Sequence, residues 1–172
     1  TGIIEDEIEG YSDQVKILYQ YGIETEIVQE EEKQDVGQPF NIYISGIDVA
    51  GDITTNSRSD VNIIMTVNPN THKILLTTTP RDYYVTIPGI SGDQRDKLTH
   101  AGIYGVDVSM STMESIYGID ITYYARVNFT SLIRIVDALG GIDVYSEYAF
   151  EGRGHQFQEG MNHMDGEAAL AF

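Results

Sequence analysis

The stretch "SRSDVNIIMTVNPNTHKILLTTTPRDYYV", Ser57 to Val85, decides how the chain is read. Two apolar runs flank "NPNT" (Asn68 to Thr71), whose residues favour turns, so residues 60–79 read as a β-hairpin. An Arg and an Asp stand at each open end: Arg58 and Asp60 before the first strand, Arg81 and Asp82 after the second. The open ends of a hairpin lie side by side, so the pattern collects these charges at one edge of a sheet.

Working outward, "FNIYISGI" (residues 40–47) reads as a buried strand that delivers Asp48, in "GIDVAGD", to its end. After the hairpin, "DYYVTIP" extends the β signal and "GISGDQRDKLTHAG" reads as a polar loop. "STMESIYG" reads as a short helix stopped by Gly118, with Ser111 and Glu114 spaced as a capping box. "DITYYARVN" is another strand. "FTSLIRIVDALGG" places Phe129, Leu132, Ile133, Val136 and Leu139 on one helical face and ends at Gly140-Gly141. "IDVYS" is a short strand, "GRGHQFQEGMNHM" a polar, flexible loop, and "DGEAALAF" opens a helix capped by Asp165. Strands alternating with helices predict a layered α-β-α domain around a central mixed sheet.

Acid is unevenly spread. Residues 1–38 carry eleven Asp and Glu against two Lys, a net −9, while the rest carries sixteen against eight, a net −8. Gly37 and Pro39 punctuate the shift, so a boundary is expected there. Residues 1–38 then form a small acidic α+β appendage, with a helix from Ser12 to Gly22 and a strand in "IETEIVQE", and residues 39–172 form the main domain. Phe172 lies within the apolar stripe of the last helix, so further residues of the domain are expected beyond it.

The net charge of −17 and pI near 4.3 disfavour nucleic acid as a partner, since phosphate-backbone binding needs a basic face. Without cysteine there is no disulfide, thiol nucleophile or thiolate metal site. No apolar run reaches the ~18 residues of a membrane-spanning helix, and no signal peptide is present, although an anchor upstream is compatible with both facts.

Asp48 and Asp60 at one sheet edge would repel unless a cation sits between them, and Mg²⁺, which takes hard oxygen ligands, suits such a pair. Arg58 and Arg81 have the planar fork that grips phosphate oxygens. Magnesium plus arginines is the apparatus of a pyrophosphate site. The same residues would equally make a rim of surface ion pairs, Arg58 with Asp60 and Arg81 with Asp82, and spacing alone leaves both readings open. The histidines are weaker signals. His72 reads as surface, His100 follows Lys97 toward the same edge, and His155 and His163 lack a third ligand at zinc spacing. Asn128 heads an "NFT" glycosylation sequon.

Seven segments, "GID", "RSDVNIIMTVNP", "TTTPRDYYVTIPG", "DKLTHAG", "YGIDITYYARVNF", "IVDALGGIDV" and "GMNHMDGEAALAF", follow one another in an order that resembles the LytR-CpsA-Psr family over residues 40–172. CpsA-type members of streptococcal capsule loci are the nearest likeness. The resemblance implies a membrane-anchored protein whose catalytic domain faces the outside of the cell. It implies Mg²⁺-dependent phosphotransfer of capsular polysaccharide, or a similar polymer, from a polyprenyl-pyrophosphate carrier to peptidoglycan. By motif match, Asp48 and Asp60 fall on the magnesium-associated aspartates, Arg58 and Arg81 on pyrophosphate-binding arginines, and Lys97 on a basic position near the phosphates; Asp82 supports Arg81 or lines the site. The aliphatic interior of the hairpin and the helix at 129–139 would wall a lipid tunnel. In the family the last helix runs on into a segment with further arginines, so residues 1–172 alone are expected to transfer poorly. The alternatives are a non-catalytic regulator of capsule or cell-wall genes, and a carrier that binds the lipid without transferring the glycan.

Overall fold

A computed structural model describes residues 24–27 and 37–172. The expected helix at 11–22 lies outside the described residues. The central sheet has five strands: β1 (Glu24–Ile27), β2 (Phe40–Ile47), β3 (Ser59–Asn68), β4 (Lys73–Thr78) and β7 (Tyr123–Val127), in the order β1-β7-β2-β3-β4. Only β2 and β7 run parallel; the other neighbours are antiparallel, so the sheet is mixed. The expected hairpin is β3–β4, with Asn68 opposite Lys73. Strand β1 lies on the near side of the composition boundary, yet it adds to the edge of this sheet beside β7.

Alternation along the strands sorts residues to two faces. Tyr43 of β2, Ile64 of β3 and Tyr124 of β7 are buried on one face, against Leu98 and Ala101 of a 3₁₀-helix (Leu98–Tyr104) and Met110 and Met113 of helix α1 (Val106–Tyr117). That layer holds the hydrophobic core. Helix α2 (Phe129–Ala138) serves the other face, and between it and Ile44, Gly46, Val61 and Val127 lies an apolar cavity of about 500 Å³. The expected α-β-α layering holds.

Three local expectations are corrected. Helix α1 begins at Val106, five residues earlier than "STMESIYG" indicates, and Gly105 before it offers no side-chain cap. Ser111 and Glu114 therefore sit inside the helix, and the Glu114 carboxylate instead accepts the Ile121 N–H at 2.9 Å. The β signal of "DYYVTIP" shrinks to β5 (Tyr84–Val85), which leaves the central sheet and pairs with β6 (Asp96–Lys97) inside the expected polar loop. "GRGHQFQEGMNHM" is ordered as strands. Strands β9 (Phe150–Gly152) and β10 (His155–Phe157) form a hairpin, and β11 (Gly160–Met164) pairs with β8 (Ile142–Ser146). The hairpin closes on Arg153 and Gly154, both at positive φ (47° and 84°), the two-residue turn whose twist matches the flanking strands. A final helix, α3 (Gly166–Ala171), is capped by Asp165, whose carboxylate accepts the Ala168 N–H at 2.9 Å, as expected.

Candidate functional site: a cationic pocket beside an apolar cavity

Three segments meet at the open end of the β3–β4 hairpin. Residues 58–60 enter β3, residues 81–82 leave β4, and residues 97–100 pass from β6 into the 3₁₀-helix. Backbone bonds lock them together: Leu98 N–H donates to the Tyr83 carbonyl at 2.8 Å and Thr99 N–H to the Arg81 carbonyl at 2.9 Å. Arg58, Asp60, Arg81, Asp82, Lys97, Thr99 and His100 then line one pocket of about 310 Å³. Arg58, Arg81, Asp82 and Lys97 are thus brought together as expected, and His100 joins them.

The charges are arranged in a chain. Arg81 Nη1 lies 3.1 Å from Asp60 Oδ1, and its Nε 3.9 Å from Asp82 Oδ2. Lys97 Nζ donates to Asp82 Oδ1 at 2.6 Å. That bond, reinforced by the ammonium's charge, holds the Asp82 carboxyl below its ordinary value, with Arg81 adding to the effect. Asp82 therefore orients both Arg81 and Lys97. His100 Nδ1 contacts Asp96 Oδ1 at 2.8 Å, and this bond, with the Lys97 N–H on the same oxygen, lowers the Asp96 carboxyl. Arg58 is exposed and makes no ion pair among the described residues, so the expected Arg58–Asp60 pair is replaced by Arg81–Asp60.

Asp60 owes its position to an irregularity. Across β2, Val61 is opposite Gly46 and Ser59 is opposite Ile47, so Asp60 has no partner in the ladder. Such a bulge re-aims a side chain at the edge of a sheet. Asp60 lines both the cationic pocket and the apolar cavity. Beneath it, the buried Tyr43 hydroxyl donates to Asn62 Oδ1 at 2.6 Å and Asn62 Nδ2 donates to the Ser59 carbonyl at 2.9 Å. Burial pushes the Tyr43 phenol up, so it remains a neutral donor. Gly102 packs on the same segment: a Cβ there would lie 2.5 Å from the Ser57 carbonyl oxygen and 2.8 Å from the Ser59 nitrogen.

Asp48 is exposed and lines the apolar cavity with Asp60. The loop from Asp48 to Ser57 is stapled to the β7–α2 junction. Phe129 N–H donates to the Val49 carbonyl at 3.2 Å, Asn128 Nδ2 to the Gly51 carbonyl at 3.1 Å, and the buried Arg126 to the Ile53 and Thr55 carbonyls at 3.3 and 3.4 Å. Asn128 is the buried N-cap of α2 and forms a reciprocal capping box with Ser131. Its "NFT" triplet thus encodes a helix start. Thr99 and Arg126 escaped the sequence reading, because their roles arise from contacts distant in the chain, and Asn128 was read there only as a sequon.

Whether the two aspartates fit a magnesium ion can be tested on their partners. Asp60 commits Oδ1 to Arg81 and to the Thr99 hydroxyl at 3.2 Å, which leaves Oδ2 uncommitted, and Asp48 has no hydrogen bond or ion pair among the described residues. Two hard carboxylates on one cavity wall fit an ion that keeps several waters and takes its remaining ligands from substrate phosphates. Among the described residues no three His, Cys, Asp or Glu side chains converge on a point, so His155 and His163 form no such set; His163 Nδ1 instead contacts Asp143 Oδ1 at 2.8 Å.

A profile of the LytR_cpsA_psr family matches residues 7–172. A protein of Bacillus cereus (strain AH820) named polyisoprenyl-teichoic acid–peptidoglycan teichoic acid transferase TagU is 38% identical over 142 residues, covering 82% of this chain and 46% of that protein. The crystal structure of B. subtilis TagV superposes with a TM-score of 0.72 at 29% identity, over 79% of this chain and 55% of that one. TagT, a LytR-CPS2A-psr family protein solved with bound octaprenyl pyrophosphate lipid, superposes with a TM-score of 0.67 at 30% identity, over 84% and 60%. The chain spans about half the length of the curated relatives it matches. With its matched profile crossing the composition boundary and its layered sheet shared with these structures, the chain belongs to the LytR-CpsA-Psr family.

Proposed function

We propose that this chain carries part of a site that transfers a cell-wall glycopolymer from a polyprenyl-pyrophosphate carrier to peptidoglycan. The observation that carries the reading is the shared wall at Asp60: an apolar cavity of about 500 Å³ adjoins a pocket lined by Arg58, Arg81 and Lys97. An apolar space with cations beside it suits an amphiphile with an anionic head. Polyisoprenyl-linked teichoic acid in the name of the B. cereus relative and the octaprenyl pyrophosphate in TagT support it. The polymer is therefore read as a cell-wall glycopolymer of the teichoic-acid or capsular type, and the site as facing the cell exterior. No described helix is long and apolar enough to cross a membrane; anchoring by a segment outside this chain is part of the proposal.

In the reaction an acceptor sugar hydroxyl attacks the phosphorus nearer the glycan. A new O–P bond forms, the bond from that phosphorus to the bridging oxygen breaks, and polyprenyl phosphate leaves with the bond's electrons. The hydroxyl's proton passes to solvent water as the new bond forms. Arg58 and Arg81 grip non-bridging oxygens through the guanidinium fork, and Lys97, aimed by Asp82, adds a point charge. Asp48 and Asp60 would hold magnesium, which supplies further neutralisation of the phosphate oxygens when bound. The charge balance favours this. Arg58, Arg81 and Lys97 face Asp48, Asp60 and Asp82, so the side chains alone are formally neutral and a pyrophosphate needs added positive charge. Opening of the Arg81–Asp60 ion pair on binding would turn the guanidinium to the phosphate, and Asp60, whose Oδ2 is already uncommitted, would be one of the residues to hold the ion.

The test is binding of polyprenyl pyrophosphate with and without Mg²⁺, in wild type, Asp48→Ala and Arg81→Ala, followed by turnover with a peptidoglycan acceptor in a chain of the relatives' length. Mg²⁺-dependent binding that both variants weaken, and turnover that Arg81→Ala abolishes, is the expected result. Binding without turnover in the longer chain would identify a lipid carrier. Absence of binding in both chains would remove the lipid-pyrophosphate reading and leave the regulatory one.

A further inference from the structure

Arg153 stands at the tip of the β9–β10 hairpin, with its Cζ 5.9 Å from the centroid of the Phe129 ring. Phe129 lines the apolar cavity with Asp48 and Asp60, and its N–H is bonded to Val49, the neighbour of Asp48. The hairpin thus places a guanidinium over a side chain of the cavity wall, at the α2 side. Its mount is firm. Phe150 and Phe157 of the hairpin pack on each other and on Phe172 with ring centroids 4.8 to 5.3 Å apart. Gly152 lies so close to α3 that a Cβ would approach the Ala171 carbonyl oxygen to 2.6 Å.

Two further observations bear on this arginine. Arg153 is exposed and has no carboxylate partner among the described residues, in a chain of net charge −17. It also holds a φ of +47°, a conformation that glycine adopts freely and that a residue with a Cβ adopts at a cost. Turn geometry alone would favour Gly, Asn or Asp there. A side chain kept against that preference is the kind of outlier from which a functional role is inferred. A guanidinium resting on an aromatic face is held ready by a weak cation–π attraction that a phosphate readily outcompetes.

We propose that Arg153 is a further phosphate-contacting residue, which leaves the Phe129 ring to pair with the anionic group adjoining an apolar chain lodged in the cavity. It would close the head of the amphiphile from the α2 side, while Arg58, Arg81 and Lys97 hold it from the hairpin side. The inference rests on the lipid-pyrophosphate reading and adds a residue of the β9–β10 hairpin to it.

The experiment is calorimetric titration of the full chain with farnesyl pyrophosphate in the presence of Mg²⁺, and with uncharged farnesol, in wild type, Arg81→Ala, Arg153→Gly and Arg153→Lys. The expected result is a loss of about tenfold in farnesyl pyrophosphate affinity for Arg153→Gly, the scale of one charge-assisted contact. Farnesol affinity stays unchanged, Arg153→Lys recovers part of the loss, and the melting temperature of Arg153→Gly is not lowered, because glycine relieves the backbone. A structural role would give the opposite: a lower melting temperature and equal losses for both ligands. If Arg81→Ala weakens farnesyl pyrophosphate binding and Arg153→Gly does not, the assignment of Arg153 is wrong and the site reading stands. If wild type binds no farnesyl pyrophosphate either as this chain or at the relatives' length, or Arg81→Ala leaves its binding intact, the site reading falls and Arg153 with it.

Discussion

Replacing Gly102 with alanine tests how tightly the phosphate-facing residues are set. Its backbone is not in the left-handed region, so the added methyl brings no torsional strain and the effect is steric alone. The new Cβ would lie 2.5 Å from the Ser57 carbonyl oxygen, where ordinary contact begins at 3.4 Å, so the segment carrying Arg58 must retreat by about 0.9 Å or the 3₁₀-helix must. Overpacking of this size costs about 1–3 kcal/mol, which for a chain of this length is a fall of roughly 2–12 °C in melting temperature. Because Arg58 and Asp60 flank the displaced Ser59, affinity for a polyprenyl pyrophosphate should fall by about tenfold or more, since sub-ångström placement governs such sites. The assay is a double-mutant cycle of Gly102→Ala with Arg58→Ala, read by calorimetric titration and by thermal melting. If the methyl acts by moving Arg58, the two affinity losses are strongly non-additive. Additive losses, or a variant with wild-type melting and binding, would refute the reasoning.

Other predictions address separate parts of the site. Lys97→Met removes the donor that depresses Asp82, so the Asp82 carboxyl should titrate closer to its ordinary value of 3.8. A depressed folded-state value means that the pair's stabilisation is complete above the ordinary value and fades as pH falls through the folded one; a carboxyl NMR titration of both proteins checks the direction. Asn128→Ala deletes the α2 cap and its bond to Gly51, and should cost about 1–2 kcal/mol in chemical denaturation; an unchanged midpoint would contradict the capping role. Val127→Phe fills the apolar cavity, so binding of an octaprenyl-length pyrophosphate should weaken while that of inorganic pyrophosphate stays the same. Equal losses for both would place the chain elsewhere.

Local chemistry made the hairpin legible. "NPNT" marks its turn, and the apolar spacing from Phe129 to Val136 marks α2. Asp165 reads as a cap because an Asx side chain before a helix has one obvious use. The start of α1 was hidden because Gly105 supplies no capping side chain and Val106 and Val108 resemble strand residues. The β9–β10 hairpin was hidden because Arg-Gly is not a turn pair that composition advertises. The place of β1 beside β7 depends on pairing across about a hundred residues, which no local pattern encodes. At the site, the sequence brought the charged residues to one edge, and its surface-rim alternative paired Arg58 with Asp60. The fold gives Asp60 to Arg81 because the bulge turns it toward the exit of β4.

That bulge also separates what the sheet requires from what the site requires. With Asp60 deleted, Val61 would directly follow Ser59, the two facing Gly46 and Ile47 respectively, and the β2–β3 ladder would close without interruption. The fold has no slot for this residue; it is an insertion that regular pairing would expel. Tolerance at this point should therefore invert the usual order: losing one residue here would heal the scaffold while removing its chemistry. A selection that rewards folding alone would drift toward the shorter chain, and only one that rewards ligand handling would keep the longer.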